Sequence, residues 1–202
     1  MSEKNKLWSF LIIGLFIFNS CQEEANHNHH SLINRSKIKT KMKIEKPNRV
    51  SHTYEQTING TIEEIMPLYC PVKELDWCEN WAPKAVYSNC GVVEKDALFI
   101  TSHGENDVVW IVNDYDVEKG RVVMYYHVPR VLVTKLEIQL TPLSDRQTMA
   151  ILTYGKTSLS KIGDKALEKF TKVEYDVMMD SWEKAMNHYL KTGEMLTGLP
   201  NF

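Results

Sequence analysis

Hydrophobic and polar positions alternate from Arg49 to Ile58, with Val50, His52, Tyr54, Gln56 and Ile58 on one side, and Asn59-Gly60 ends the run. That period of two, closed by a turn dipeptide, predicts a first strand. Thr61 to Ile65 opens a short helix whose first turn carries Glu63 and Glu64, where the helix N-terminus favours negative charge. Pro67 and Pro71 stop it, because proline has no N–H to continue the hydrogen-bond ladder. Six more strand-like runs follow at residues 84–88, 97–103, 108–113, 121–128, 131–141 and 148–154. The breaks between them hold turn residues, among them Glu118-Lys119-Gly120 and Pro142-Leu143-Ser144-Asp145. Breaks this short predict antiparallel hairpins, since parallel strands need crossovers of about a dozen residues or more.

The alternation also assigns faces. Leu132, Leu136, Ile138 and Leu140 share one side of their strand while Lys135, Glu137 and Gln139 share the other, a half-buried strand with one wet face. Val122, Met124, Tyr126 and Val128 share a face, opposite Tyr125 and His127. Residues 108–113 are apolar on both sides, so alternation leaves Trp110 unassigned; burial of the outer face, with Val109, Ile111 and Tyr125, in a homodimer would account for such a strand. Beyond the strands, Leu167, Phe170, Val177, Met178, Trp182, Ala185, Met186 and Tyr189 recur at three- and four-residue steps. This stripe predicts one long amphipathic helix from about 160 or 164 to 191, closed by Gly193. Strand, short helix, six strands and long helix make an α+β plan.

The N-terminus reads as an address. Lys4 and Lys6 precede an apolar run, Leu7 to Phe18, that is long enough for a signal peptide and too short to span a bilayer as a helix. It ends in Phe18-Asn19-Ser20-Cys21, which resembles the lipobox of bacterial lipoproteins, in which the cysteine is acylated. The expected organisation is a signal over 1–20, a flexible basic tether over 21–48, a folded domain over 49–193 and a tail over 194–202. Residues 22–53, the tether and the first residues of the domain, hold seven Lys/Arg against three Asp/Glu, a balance suited to anionic headgroups. Gln22-Glu23-Glu24 resembles a surface-export signal of some Gram-negative lipoproteins. The expected location is therefore the bacterial cell envelope, with the membrane as a partner through Cys21.

Composition narrows the function. Of 202 residues, 43% are hydrophobic and 25% charged, an ordinary globular mixture, and the net charge of −2 gives no footprint for nucleic acid. With Cys21 acylated, Cys70, Cys78 and Cys90 remain, an odd set that allows at most one internal disulfide. Cys70–Cys78 is the pair to test first, and no spacing matches a zinc site. His27, His29 and His30 form a weak metal-binding cluster, and a Cys–His arrangement would have to use His103 or His127. No nucleophile elbow, phosphate loop, metal motif or cofactor motif occurs.

Cys70-Pro71-Val72-Lys73-Glu74-Leu75-Asp76-Trp77 and Trp81, followed by Ala85-Val86-Tyr87-Ser88, resemble a bacterial subgroup of the START-like superfamily, SRPBCC. Val109 to Asp116 and Trp182…Asn187-His188-Tyr189-Leu190 are similar to the same subgroup, so the resemblance spans about residues 50–192. It implies a helix-grip fold, β-α-β6-α, with a curved antiparallel sheet gripping the C-terminal helix over an apolar cavity. Superfamily members bind lipids, sterols, polyketides or hormones there, and some catalyse cyclisation, dehydration or ring hydroxylation.

Two classes of function follow. A binder or carrier of an apolar small molecule would use Trp81, Trp110, Met124, Tyr126, Phe170, Met178 and Trp182, adaptable side chains suited to such a guest. An enzyme, cyclase-, dehydratase- or hydrolase-like, would use a desolvated carboxyl as acid, with Glu174 between Phe170 and Met178 as the catalytic candidate and Tyr126 as its relay. A third class, a protein-interaction module, would use the outer sheet face.

Overall fold

The alternating runs assemble into one sheet of seven strands, in the order β1-β7-β6-β5-β4-β3-β2, every neighbouring pair antiparallel. The strands are β1 (Arg49–Ile58), β2 (Ala85–Tyr87), β3 (Leu98–His103), β4 (Asn106–Asp116), β5 (Arg121–Val128), β6 (Leu132–Ser144) and β7 (Gln147–Ser158). Strands β2 to β7 form a hairpin meander, and β1 closes onto β7, far from it in sequence, from Arg49↔Thr157 to Ile58↔Thr148. This computed structural model describes residues 42–103 and 106–200, the side chains of His103 and Asn106 excepted. The apolar run from Leu7, the acylation candidate Cys21 and the histidines at 27, 29 and 30 lie outside the described residues. Residues from Ile44 onward form one compact unit.

Two strands run further than their sequence pattern suggests. β4 continues to Asp116 through a register shift between Val112 and Asp114, so that Val112 and Tyr115, three apart, both pair with inward residues of β5, Met124 and Val122. An inserted residue resets the alternation and hides the strand's second half from a period-two reading. β7 continues past Tyr154 to Ser158 because it is paired on both sides along its length, although Lys156 there looks like a solvent residue.

Between β1 and β2, Thr61 caps α1 (Ile62–Ile65) in a capping box with Glu64. 3-10 turns at Met66–Tyr69 and Lys73–Asp76 follow. Trp77 is fully buried, its indole N–H donating to the Leu68 carbonyl at 2.8 Å, and Trp81 donates to the Pro71 carbonyl at 2.7 Å. The two indoles thereby fix the prolyl segment against the core.

The expected single long helix is two helices, α2 (Lys161–Lys169) and α3 (Lys172–Thr192). Phe170 leaves helical geometry at ψ 72°, and Thr171 starts α3 in a second capping box. Glu174 N–H donates to Thr171 Oγ1 at 3.2 Å, and Glu174 Oε2 accepts the Thr171 N–H at 3.2 Å. That local pair satisfies donors at a fresh helix start, and the apolar periodicity, which runs through the break, carries no mark of it. Gly193, at φ 74°, ends α3 as expected, its N–H donating to the Tyr189 carbonyl at 2.7 Å.

α3 is fastened to β1, the turn after it and β7 by polar bonds. Gln56 donates to the Met179 carbonyl at 2.7 Å and accepts from the buried Tyr69 hydroxyl at 3.2 Å. Asn187 bonds both Asn59 N–H and the Thr57 carbonyl, and Tyr175 donates to the Leu152 carbonyl at 2.7 Å. Cys70, Cys78 and Cys90 are all free thiols, so the Cys70–Cys78 bridge is not formed; the Cys70 sulfur accepts the Val93 N–H at 3.1 Å instead.

Candidate functional site

Strand register builds the floor of a cavity. Val86, Phe99, Trp110, Tyr126, Thr134, Lys156 and Val50 are successive cross-strand partners from β2 across to β1, one unbroken row on the inner face. Within it the rings form a ladder. Trp81 meets Phe99 edge-on at 6.3 Å, Phe99 stacks on Trp110 at 5.1 Å, and Trp110 reaches Tyr126 at 4.3 Å. A parallel row supplies Met124, Leu136 and Tyr154. The opposite wall is α3, through Met178, Ser181, Trp182 and Ala185, and the near wall is the 3-10 segment, through Glu74, Trp77 and Cys78. The cavity, open to one side, has a volume of about 350 Å³, room for a small ring compound. The C-terminal tail closes one side, with Leu196, Leu199 and Pro200 on the lining and the Gly198 N–H donating to Glu79 Oε2 at 2.7 Å.

Few polar groups reach this space, and burial perturbs them. Glu74 is 8% exposed, and desolvation alone lifts its carboxyl to about 8. The neighbouring Cys78 thiol is pushed up to about 12, first by burial and then by Glu74. Tyr154, 7% exposed, is held well above the usual phenol value, mainly by burial. Lys156 is drawn down to about 8 by burial, and its amine sits 3.8 Å over the Phe170 ring. The Thr134 hydroxyl is buried with no partner in good geometry, beside its cross-strand neighbour Tyr126. Among the described residues no cluster of His, Cys, Asp or Glu could hold a metal ion, and no helix is long and apolar enough to cross a membrane.

No family model matches the sequence, and no curated protein matches it. Solved structures do resemble it. Norcoclaurine synthase from Thalictrum flavum aligns at TM-score 0.56 and 10% identity over 86% of this chain and 99% of that one. Ara h 8.0201 aligns at TM-score 0.50 and 11% identity, covering 72% of this chain and 99% of its own. A Staphylococcus aureus protein of unknown function aligns at TM-score 0.50 and 14% identity, covering 73% and 97%. The chain shares their helix-grip fold, a curved antiparallel sheet gripping a C-terminal helix.

In this helix-grip domain the residues expected at the site divide. Trp81, Trp110, Met124, Tyr126, Met178 and Trp182 all line the cavity. Phe170 does not; its ring turns into the β1–α3 joint, 4.9 Å from His52 and 5.7 Å from Tyr175. Glu174 is exposed and occupied in the α3 capping box, outside the lining, because the helix restarts three residues before it. His127 is exposed on the outer sheet face, paired with Val109 and Val133, so it meets no cavity thiol. On that outer face Val109 and Ile111 are 43% and 48% exposed, with Tyr125 beside Ile111.

The functional candidates missed in the sequence are Glu74, Trp77, Phe99, Tyr154, Lys156 and the tail. Glu74 lies four residues before Cys78 in a proline-broken stretch, where no period assigns a face. Ala150, Leu152, Tyr154 and Lys156 do follow the inward alternation of β7, so a lysine in apolar phase was the available signal.

Proposed function

We propose that this helix-grip domain binds a small hydrophobic molecule between its sheet and α3, and that export and acylation at Cys21 hold it on a membrane of a Gram-negative cell envelope. The observation that carries the binding reading is the lining: Trp77, Trp81, Phe99, Trp110, Tyr126, Tyr154 and Trp182 surround a space of about 350 Å³. Seven aromatic side chains around this cleft present apolar surface that a ring-containing guest covers at a gain of about 25 cal/mol per Å². Norcoclaurine synthase, of the same fold, has been solved with dopamine and hydroxybenzaldehyde, which supports small aromatic guests. The mature chain, Cys21 to Phe202, titrated with the neutral dye N-phenyl-1-naphthylamine, is expected to quench tryptophan fluorescence saturably at one dye per chain. A linear, unsaturable response would remove the reading.

The anchor rests on the sequence from Lys4 to Cys21. Cells fed an alkyne fatty acid are expected to label the chain, and Cys21→Ser is expected to lose the label. Labelling that survives the substitution contradicts it.

A second reading, acid–base catalysis in the same cavity, is favoured by Glu74, whose carboxyl near 8 suits a group that exchanges protons around neutral pH. Substrate turnover that Glu74→Gln leaves unchanged would exclude this residue from such chemistry.

A further inference from the structure

The basic side chains of the domain are unevenly satisfied. Lys84, Lys119, Arg121, Lys135, Lys172 and Lys184 each pair with a carboxylate. Arg130, Lys161 and Lys165 are exposed and make no ion pair among the described residues. These three stand together at one end of the sheet, where hydrogen bonds join the segments that carry them. The Leu159 N–H donates to the Val131 carbonyl at 2.8 Å, which ties the start of α2 to the β5–β6 turn beside Arg130. The Ser158 N–H donates to the Asn48 carbonyl at 2.9 Å, and the Asn48 side chain donates to the Asp164 carboxylate at 2.8 Å, which ties the same end to the start of β1.

Two large apolar side chains lie among these cations. Leu159 is 50% exposed, and Ile162, between Lys161 and Lys165, is 69% exposed; neither belongs to the buried core or to the cavity lining. A single exposed apolar residue is ordinary, but here two stand beside cations that no carboxylate neutralises. Of the acids nearby, Asp164 is engaged by Asn48, and Glu168 lies a turn further along α2. Positive charge therefore prevails at this end, although residues 54–202 carry 15 Lys/Arg against 22 Asp/Glu. An anionic bilayer answers both features at once, since its headgroups meet the cations and its acyl boundary accepts the apolar tips. The chain also arrives here. Residues 22–48 join Cys21 to β1, at most about 95 Å even when extended, so an anchor at Cys21 pulls on this end of the sheet and not on the turns at the other.

We propose that the end of the domain built from the β5–β6 turn and the start of α2 docks on anionic lipid headgroups, with Arg130, Lys161 and Lys165 against the phosphates and Leu159 and Ile162 entering the acyl boundary. The inference rests on the proposed membrane anchoring through Cys21 and adds which surface of the domain meets the bilayer.

The test uses the mature chain with Cys21→Ser, so that no acyl chain contributes, and vesicles of phosphatidylcholine alone or mixed equally with phosphatidylglycerol, at low salt. The chain is expected to sediment with the mixed vesicles and not with phosphatidylcholine alone. Lys161→Glu combined with Lys165→Glu should weaken this binding about ten-fold, and Ile162→Ser several-fold. Lys95→Glu, in the β2–β3 turn at the other end of the sheet, should leave it nearly unchanged. All four side chains are exposed, so melting temperatures are expected to hold, which separates lost docking from lost folding. Deuterium uptake over residues 129–131 and 159–165 should fall on the mixed vesicles while the β4–β5 and β6–β7 turns exchange as before. No binding to the mixed vesicles overturns the inference, as does unchanged uptake over those two segments. Binding that the Lys161, Lys165 and Ile162 substitutions leave intact overturns it too, and assigns the attraction to the lysines at 37, 39, 41 and 43. Dimers without vesicles that Ile162→Ser dissolves overturn it in favour of a second copy of the chain. Acylation is read separately in cells, so failure of the anchor at Cys21 is distinguishable from failure of this surface.

Discussion

Trp182 of α3 meets Trp77 edge-on, with ring centroids 5.7 Å apart and planes at 78°. The contact joins the helix to the 3-10 segment across the mouth of the cavity, and the two rings differ in what they do. Both line the cavity, but Trp77 is fully buried and bonded to Leu68, so it is also part of the core, whereas Trp182 is half-buried. Trp182→Ala is therefore expected to cost about 2 kcal/mol, less than a fully buried tryptophan would, and to enlarge the cavity. Denaturant unfolding reads the first effect. A gain in affinity for bulkier naphthalenes relative to N-phenyl-1-naphthylamine reads the second.

Glu74 links stability to pH. Its folded value near 8 lies above the value of about 4.5 for an exposed carboxyl, so between these limits the folded chain holds more proton at this site than the unfolded chain. Stability then falls as pH rises from about 4.5 to about 8, by roughly 1 kcal/mol per pH unit at its steepest. Glu74→Gln is expected to flatten that slope and to be the more stable protein at pH 8. Urea unfolding of the two chains at pH 5, 6.5 and 8 checks it; parallel pH profiles would contradict a buried, unpaired carboxyl.

Gly163 of α2 packs where no side chain fits. A Cβ there would stand 2.0 Å from the Val131 carbonyl oxygen and 2.6 Å from Ser158 Oγ, and the first of these is backbone. Alanine, ordinarily the better helix residue, is expected to destabilise here by about 1–3 kcal/mol, whereas an alanine at an exposed helical glycine would stabilise by up to about 1 kcal/mol. The sign of the change in melting temperature decides between the two.

The tail after Gly193 supplies cavity wall rather than fold. Leu196 and Leu199 face the space, Leu199 also packs against the core, and the bond from Gly198 to Glu79 is exposed. Ending the chain at Gly193 is expected to speed release of N-phenyl-1-naphthylamine about ten-fold, since affinity changes fall mainly on dissociation, with little loss of thermal stability. Stopped-flow dilution measures the release. An unchanged rate would mean the guest leaves by another side.

The fold was readable where a single physical signal repeats. Arg49–Ile58 alternates and forms a strand over those residues, Arg121–Val128 does so although the buried Val123 breaks its alternation, and Thr61 with Glu64 forms a capping box whose signature the sequence carries. The α2–α3 break was not readable from periodicity because Phe170 keeps the apolar phase, and the cue was Thr171-x-x-Glu174, the same signature in a less expected place. Trp110 shows the limit of alternation: Val109 and Ile111 beside it are as apolar in sequence, yet stand 43% and 48% exposed on the outer face while Trp110 joins the ring ladder. Of the site's aromatic walls, Trp81, Trp110, Tyr126 and Trp182 were singled out in the sequence as adaptable side chains, whereas Trp77, Phe99 and Tyr154 were not. Its polar anchors were not, since Glu74 sits in an aperiodic segment and its burial is decided by α3 and the sheet closing over it.

The central claim, an occupied apolar cavity between sheet and α3, is tested most directly by native mass spectrometry of the mature chain purified without detergent, followed by organic extraction. The account predicts a mass above that of the polypeptide by one small apolar compound per chain, lost on denaturation and much reduced in a Trp110→Ala, Trp182→Ala double variant that remains folded. A bare polypeptide mass that also stays bare after incubation with 2-acetylnaphthalene and N-phenyl-1-naphthylamine would contradict it.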